Sequence, residues 1–535
     1  MNAQTRQTGT LRALAGGLLI LAALLAARPA AALPFQVSYG RSDNFGGLTS
    51  VAPTQAPGSI ASGYFGFGFT QGMLLKIQPD GKLSWVKAYG DTTPSTVRET
   101  AAGTFVWSGI GHLGLPPRIA PVVAEVDPVG NVLWARVIDL PAPDGTPGDQ
   151  AYGRFLEIDP RDGGYWVGGE RWRRAFVDAE PWLAKLDRNG SLLWARVVSF
   201  PENARFLSLF PSLDGGVIGV GEIWLKDDQG ASQPRMLAVK LRADGTHEWS
   251  FRYLVQNADL QRSRQWLADL DRDPLLDPSH KDHAVVGTVT GFCKSLPSLP
   301  CDPVRSAAFV ATLDETTGDL SNTVGLFSLV QPETRGETIV MDLPQEVYAV
   351  GGSVRDEARG TQEGLLAFLG LGTNAPRGAM LYGDGSGPFD AELGSLARVR
   401  QAPDPGYLFL MNEIDWNAKT LTEKRDVVET DKAGRSGACE GKTAVATFRA
   451  FTARFALEPA LRAGKSASAA LDASPVELPE EPCRLCPREV GAAAAQPGGP
   501  AAPAGKPSLF RILPGIPDAP EERRGSAPVQ VLNEK

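Results

Sequence analysis

Residues 269–283 read DLDRDPLLDPSHKDH, an acid-rich stretch that also holds two of the chain's four histidines, His280 and His283. Asp269, Asp271 and Asp273 stand at every second position, with Asp277 and Asp282 close behind. Acids spaced this way can converge their oxygens on one hard cation, so calcium is the cofactor this stretch would take. The motif is incomplete. Pro274 stands where a calcium loop needs Gly for its sharp turn, and His280 where the bidentate Glu belongs. A solvated acidic loop is the simpler reading. Asp269, Asp271 and Asp273 are carried forward as the metal candidates, and no other cofactor is expected.

The five cysteines are Cys293, Cys301, Cys439, Cys483 and Cys486. In an oxidising compartment Cys293 and Cys301, spaced across CKSLPSLPC, can close a small disulfide loop. The other three leave one odd. CRLC at Cys483 and Cys486 is followed by Pro487 where haem attachment needs His, and no second C-x-x-C completes a zinc site.

The sequence has no G-x-S-x-G elbow, H-E-x-x-H helix or Lys-bearing phosphate loop. No catalytic or cofactor-binding residue is assigned. Paired carboxylates of a glycosidase, contributed by different strands of one ring, would leave no local motif.

The elements that would position any site come from a repeat. PVVAEVDPVGNVLWARVI at 121–138 returns as PWLAKLDRNGSLLWARVV at 181–198, and MLLKIQPDGKLSWVKAYG at 73–90 and MLAVKLRADGTHEWSFRY at 236–253 are further copies. In all four a glycine (Gly81, Gly130, Gly190, Gly245) precedes a tryptophan (Trp85, Trp134, Trp194, Trp249) by four residues. Each copy reads as a hairpin in which Asp caps the turn, Gly supplies its positive φ and Trp packs on the returning strand. Degenerate copies begin at Ala308 and Asp426, and one near Gly364 is recognisable mostly by position.

A second series of short apolar strands with small residues lies between the hairpins, near Ser62, Ser108, Gly168, Val220, Gly287, Gly351 and Leu410. Seven such units give a period of roughly 58 residues, longer than the ~40 to 50 of four-stranded propeller blades, with the excess in loops. The expected fold is all-β: a β-propeller of seven four-stranded blades with a disordered C-terminal tail. FQVSYG at 35–40 matches WVKAYG at 85–90, so the ring starts mid-unit and both chain ends can complete its last sheet, with 443–455 as the C-terminal contribution.

These residues, KLDRNGSLLWARVV above all, resemble the bacterial quinoprotein-like (PQQ-like) secreted β-propeller repeat families, whose units carry an Asp, a turn Gly and a following Trp. The resemblance spans about 35–440 and implies architecture only. Copies one and four depart from it, placing the acid beside the glycine (Asp80, Asp244). Quinoprotein dehydrogenases of this kind have eight blades, an adjacent cysteine pair and a calcium. Adjacent cysteines do not occur here, so no quinone site is carried over.

Arg6 and Arg12 ahead of ALAGGLLILAALLAA, with Ala30 and Ala32 at the small positions, read as a signal peptide over 1–32 cut after Ala32. The domains expected are that peptide, the propeller at 33–456 and an Ala/Pro-rich tail at 457–535. Cleavage removes three cations and no acid, taking the formal charge from -8 to -11. Phosphate-backbone binding needs clustered Lys and Arg, so nucleic acid is not an expected partner, and no membrane span remains after cleavage. The expected function is an exported, periplasmic or extracellular, non-catalytic binding scaffold for a protein or glycan, with its loops, notably 253–280, as the binding surface. The alternative is an enzyme using the propeller channel, as a quinone-type oxidoreductase or a hydrolase.

Overall fold

The computed structural model describes residues 34–39, 46–65, 71–113, 118–140, 150–173, 178–226, 230–255, 264–273, 281–290, 306–328, 333–356, 361–371, 376–382, 389–399, 406–415, 422–436, 448–452, 455–459, 473–475 and 480–482. All belong to the first of two units, Met1–Glu489; the second is Val490–Lys535. Residues 1–32, expected as a signal peptide, all five cysteines and residues 274–280 lie outside the described residues, and the disulfide expected between Cys293 and Cys301 lies there with them.

Every described element is a strand. After β1 (Phe35–Ser38), four antiparallel meanders follow in chain order. They are β2 (Gly46–Pro53), β3 (Ser59–Phe65), β4 (Gln71–Ile77) and β5 (Leu83–Gly90); β6 (Thr92–Glu99), β7 (Phe105–Leu113), β8 (Arg118–Val126) and β9 (Val132–Ile138); β10 (Gln150–Ile158), β11 (Tyr165–Arg173), β12 (Asp178–Leu186) and β13 (Leu192–Val197); and β14 (Ala204–Pro211), β15 (Val217–Lys226), β16 (Ser232–Leu241) and β17 (His247–Val255).

The chain continues through β18 (Gln265–Asp271), β19 (Asp282–Thr290), β20 (Ser306–Asp314) and β21 (Leu320–Ser328), then β22 (Glu333–Asp342), β23 (Val347–Asp356), β24 (Thr361–Gly370) and β25 (Pro376–Tyr382). β26 (Phe389–Arg398), β27 (Tyr407–Asp415) and β28 (Thr422–Glu429) complete this stretch. Among the described residues no helix is long and apolar enough to cross a membrane.

The expectation of seven separate four-stranded blades is corrected. The hydrogen bonds make five sheets, with 4, 5, 5, 5 and 13 strands. Single parallel bridges, Ser306 to Glu333 and Gln362 to Asp390, join the meanders from β18 onward into the 13-stranded sheet. A repeat period counts units along the chain. Whether neighbouring units stay separate depends on how closely their strands approach, which the period does not encode.

The core lies between consecutive meanders. Tyr89, Val97 and Trp107 pack together from the first two, and Trp166, Leu183, Phe206 and Val217 from the third and fourth. One cluster joins Phe35, Leu48 and Leu75 to Leu408, Leu410 and Val427, so the last strands pack on the first and the propeller closes. β1 completes that closure, pairing antiparallel with β28 from Phe35 opposite Glu429 to Ser38 opposite Asp426. The N-terminal half of the expected closure is therefore observed. The C-terminal half comes from β28 and not from 443–455. Four strands from later in the chain instead lie on outer edges: β29 (Phe448–Thr452) on β21, β30 (Phe455–Pro459) on β17, β31 (Ala473–Pro475) on β9 and β32 (Glu480–Pro482) on β5. Of the expected tail, 457–535, the described residues are only these short stretches, 457–459, 473–475 and 480–482.

The hairpin reading holds at atomic detail. Asp187 Oδ1 accepts from the amides of Asn189 and Ser191, both at 2.8 Å, and Gly190 has φ 77°. The repeat's meaning lies between units. Trp194 Nε1 donates to Ala243 O at 2.9 Å and Trp85 Nε1 to Pro128 O at 3.0 Å, each in the turn of the following unit. A Cβ on Gly190 would sit 2.7 Å from the Trp134 ring. The turn residue is therefore glycine for two reasons, its φ and the tryptophan of the preceding unit pressed against it. Tyr89 and Tyr253 add hydroxyl bonds to Gly130 O (2.9 Å) and Gly318 O (2.7 Å).

Candidate functional site

The first strand of each meander carries one β-bulge, and opposite it stands the second series of small residues. The register shifts at Leu48/Ser50, Pro94/Thr96, Gly153/Phe155, Phe206/Ser208, Leu267/Asp269, Gly336/Thr338 and Gly394/Leu396. At Gly169, which faces one of these bulges, a Cβ would come within 1.8 Å of Tyr152 O, so only glycine admits the approach. A bulge re-aims the side chains that follow it. Thr96, Ser208, Asp269 and Thr338 thereby share one position, immediately past the bulge. Arg98, Glu157, Asp271 and Arg398 share another, two residues further on.

The three metal candidates fall on this frame, and their oxygens are spread along a seam. Asp269 Oδ1 accepts from Ser208 Oγ at 2.6 Å, and its Oδ2 from Thr338 Oγ1 at 2.8 Å and Ile339 N at 3.1 Å. Asp271 Oδ2 accepts from Met341 N at 2.8 Å, and Asp273 Oδ2 from Leu343 N at 3.1 Å. Asp269 and Asp271 of β18 and Asp273 just past its end thus take the alternate amides of Ile339 and Met341 in β22 and of Leu343 just past its end. The spacing of two suits an extended neighbour, where N–H groups on one edge also recur every second residue. Among the described residues no group of three or more His, Cys, Asp or Glu side chains is placed to hold a metal ion. Asp277 and His280 lie outside them. His283 is buried on β19, with Nε2 3.1 Å from Glu315 Oε2 and the Phe210 ring edge-on at 5.5 Å.

Two residues that sequence reasoning missed complete the cluster. Arg98 Nη2 lies 2.6 Å from Glu157 Oε1, a strand-to-strand ion pair between β6 and β10. Despite burial, Glu157 and the more distant charges of Asp269 and Asp271 hold the Arg98 guanidinium above its ordinary range. Burial pushes the Asp269 carboxyl up against the pull of its donors. Burial also pushes Asp271 up to about 7, and the charges of Asp269 and Glu157 add to the rise. The signal that could have found Arg98 and Glu157 is the repeat itself. Aligned on their bulges, the first strands put both in register with Asp271.

The seam continues through Arg398, whose Nη1 lies 3.3 Å from Asp273 Oδ2 and whose Nε lies 3.3 Å from Asp342 Oδ1. Tyr407 donates its hydroxyl to Asp342 Oδ2 at 3.0 Å. Chemically the cluster offers one arginine-paired carboxylate, Glu157 on β10, and one carboxyl raised toward neutrality, Asp271 on β18, with the first strand β14 between them. Such a pair can hold a cation or move a proton.

No protein-family model and no curated protein matches the chain. Solved structures that it resembles include a protein of unknown function from Dyadobacter fermentans DSM 18053, at 11% identity and a TM-score of 0.36 over 62% of this chain and 93% of that one. Another is the Dos1 propeller, at 10% identity and a TM-score of 0.38 over 75% of this chain and 96% of that one. The β-propeller assignment rests on the strand pairings and the closing core.

Proposed function

We propose that this chain is an exported, non-catalytic β-propeller that binds a protein or glycan of the cell envelope or extracellular space through the loops around its ring. The observation that carries this reading is the use made of the cluster's acids. Asp269, Asp271 and Asp273 each accept from an amide of β22 or of Leu343 just past it, and Asp269 also from Ser208 of β14, so this acidic stretch links neighbouring units. The quinoprotein-like resemblance belongs to the same reading, as a likeness of repeat and not of activity. Export rests on the N-terminal pattern of residues 1–32.

The test is native mass spectrometry with metal analysis on protein purified from the exported fraction without chelator, together with crosslinking in the same cells. The binding reading expects a mature chain starting at Leu33, no stoichiometric cofactor mass, and a crosslinked partner whose affinity is unchanged by Asp271→Asn. A stoichiometric calcium or quinone-sized adduct would overturn it.

One observation favours a second reading, a hydrolase in the channel. Asp271, raised to about 7, and the Arg98-bound Glu157 are the pair an acid–base mechanism needs. Under that reading Asp271→Asn abolishes turnover of a glycan or ester panel while the protein stays folded.

A further inference from the structure

The meanders that begin with β2, β6, β10, β14 and β18 are units one to five in chain order. On their outer strands Lys87, Arg136, Arg196, Phe251 and Val324 hold one position. Each ends the row of paired residues that starts immediately past its unit's bulge, as Phe155, Gly168, Leu183 and Arg196 do in unit three. Four of the rows gain a fifth member from late in the chain. Pro482 stands opposite Lys87, Pro475 opposite Arg136, Pro459 opposite Phe251 and Thr452 opposite Val324. Among the described residues nothing extends the row of unit three. Val198 N donates to Pro181 O, so the amides of Trp194 and Arg196 also face β12, and those of Ala195 and Val197 face outward. β5, β9 and β17 pair with their inner neighbours in the same register relative to tryptophan. A residue added opposite Lys87, Arg136 or Phe251 therefore turns its nitrogen away from the sheet, where proline costs no ladder bond.

The added strands take the units in reverse order, β29 on five, β30 on four, β31 on two and β32 on one. From Thr452 to Pro459 the chain advances seven residues for one unit, and from Pro475 to Pro482 seven again. The first of these steps is taut, since only Ala453 and Arg454 separate β29 from β30. From Pro459 to Pro475 the chain advances sixteen residues for two units, two more than two such steps. Two extended residues are about 7 Å of slack, so the connection has length for one more paired strand and little else. Seven residues past Pro459 is Ser466, and seven before Pro475 is Ser468. Residues 460–472 lie outside the described residues and contain no proline. β13, LLWARV, also repeats β9, VLWARVI, which already takes an added strand. We propose that the outer edge of β13 is the docking edge for residues 464–470 of this chain, laid as the fifth strand of unit three with one of residues 466–468 opposite Arg196. Main-chain pairing to Ala195 and Val197 supplies the affinity. Anchored on units two and four, the segment is present at an effective concentration on the order of mM, ahead of any free strand. The outer edges of units one to five are then all occupied from within the chain, which blocks edge-to-edge pairing with another sheet. This goes beyond the binding reading and stands without it.

The experiment is hydrogen exchange resolved to single amides on the full chain. Ala195 and Val197 should be protected like Val137, which stands opposite Ser474 of β31. The comparison chain carries Lys465→Pro, Ser466→Pro, Ala467→Pro, Ser468→Pro and Ala469→Pro together. These remove every donor in all three registers, while a polyproline run of ~3.1 Å per residue keeps the connection's span. Ala195 and Val197 should then exchange at least ~10-fold faster while Val137 keeps its rate. Equally fast exchange of Ala195 and Val197 in the two chains means an edge open to water and overturns the proposal. Slow exchange in both overturns the named occupant, and protection that falls on dilution assigns the edge to a second copy. If the proline chain does not fold, the unaltered sequence with p-benzoylphenylalanine in place of Arg196 decides by peptide mapping after irradiation. Adducts on residues 464–470 are expected; adducts confined to other segments, or to a second chain, overturn the assignment.

Discussion

At the scale of single residues the repeat is a set of contacts made one unit ahead. Gly190 and Gly103 both have positive φ, near 77°, but a Cβ meets the Trp134 ring at the first and nothing within 4 Å at the second. Gly103→Ala should therefore cost only the left-handed penalty of about 1 to 2 kcal/mol. Gly190→Ala should cost measurably more in urea unfolding, and equal losses would show that the tryptophan contact carries no weight. A second residue-scale test concerns Lys185, whose side chain is 5% exposed, 2.5 Å from Asp159 and 3.1 Å from Asp162. Its ammonium also sits 4.5 Å from the centre of the Trp166 ring. Asp159→Asn leaves this buried cation with the more exposed Asp162 and should destabilise by about 3 kcal/mol. A loss under about 1 kcal/mol would show the ring and Asp162 to suffice.

At the scale of elements the bulged first strands decide where charge gathers. The Asp271 carboxyl is raised from its ordinary value to about 7, so the folded state holds a proton that the unfolded chain gives up near the ordinary carboxylate range. That contribution is present at low pH and is lost as pH rises from about 4 toward 7. Glu429, pushed up to about 7 by burial, acts in the same direction. Thermal melts of Asp271→Asn should consequently lose less stability between pH 5 and pH 8 than the unaltered chain. Glu315 has the opposite sense. Though burial opposes it, bonds from His283 and the Leu213 amide hold its carboxyl below the ordinary range, so its contribution is present above that range and lost on acidification. Glu315→Gln should accordingly flatten the acid limb of the stability profile while leaving the limb above pH 7 unchanged.

At the scale of the whole molecule, closure depends on four residues at the start of the propeller. β1 is the outer partner of β28, and Gln36 adds a side-chain bond to Asp426 at 2.7 Å. Val37, opposite Val427, occupies the position whose amide faces inward in the shared register. Val37→Pro should remove that bond and loosen the junction of the last strands with the first. Hydrogen exchange should then accelerate in β26, β27 and β28 while β10 to β13 keep their protection, as expected of local opening. Uniform acceleration through every sheet would instead mean that closure is cooperative with the whole ring.

Local signals made the strands legible. Asp187 and Gly190 mark a turn whose chemistry is complete within five residues, and the alternation around Trp194 marks the strand that returns from it. The same repeat exposed the mid-unit start, because β1 carries the same pattern as β5. What the sequence left open depends on approach between distant segments. Asp269, Asp271 and Asp273 look like cation ligands in one dimension. Only the docking of β18 beside β22, about 70 residues away, turns them into acceptors for amides. The merging of meanders into five sheets, the pairing of Arg98 with Glu157 and the landing of β31 and β32 on the outer edges of β9 and β5 are likewise tertiary. A residue's type fixes what it can bond, and its spacing fixes which face it shares. Its partner is chosen by the packing of the closed ring.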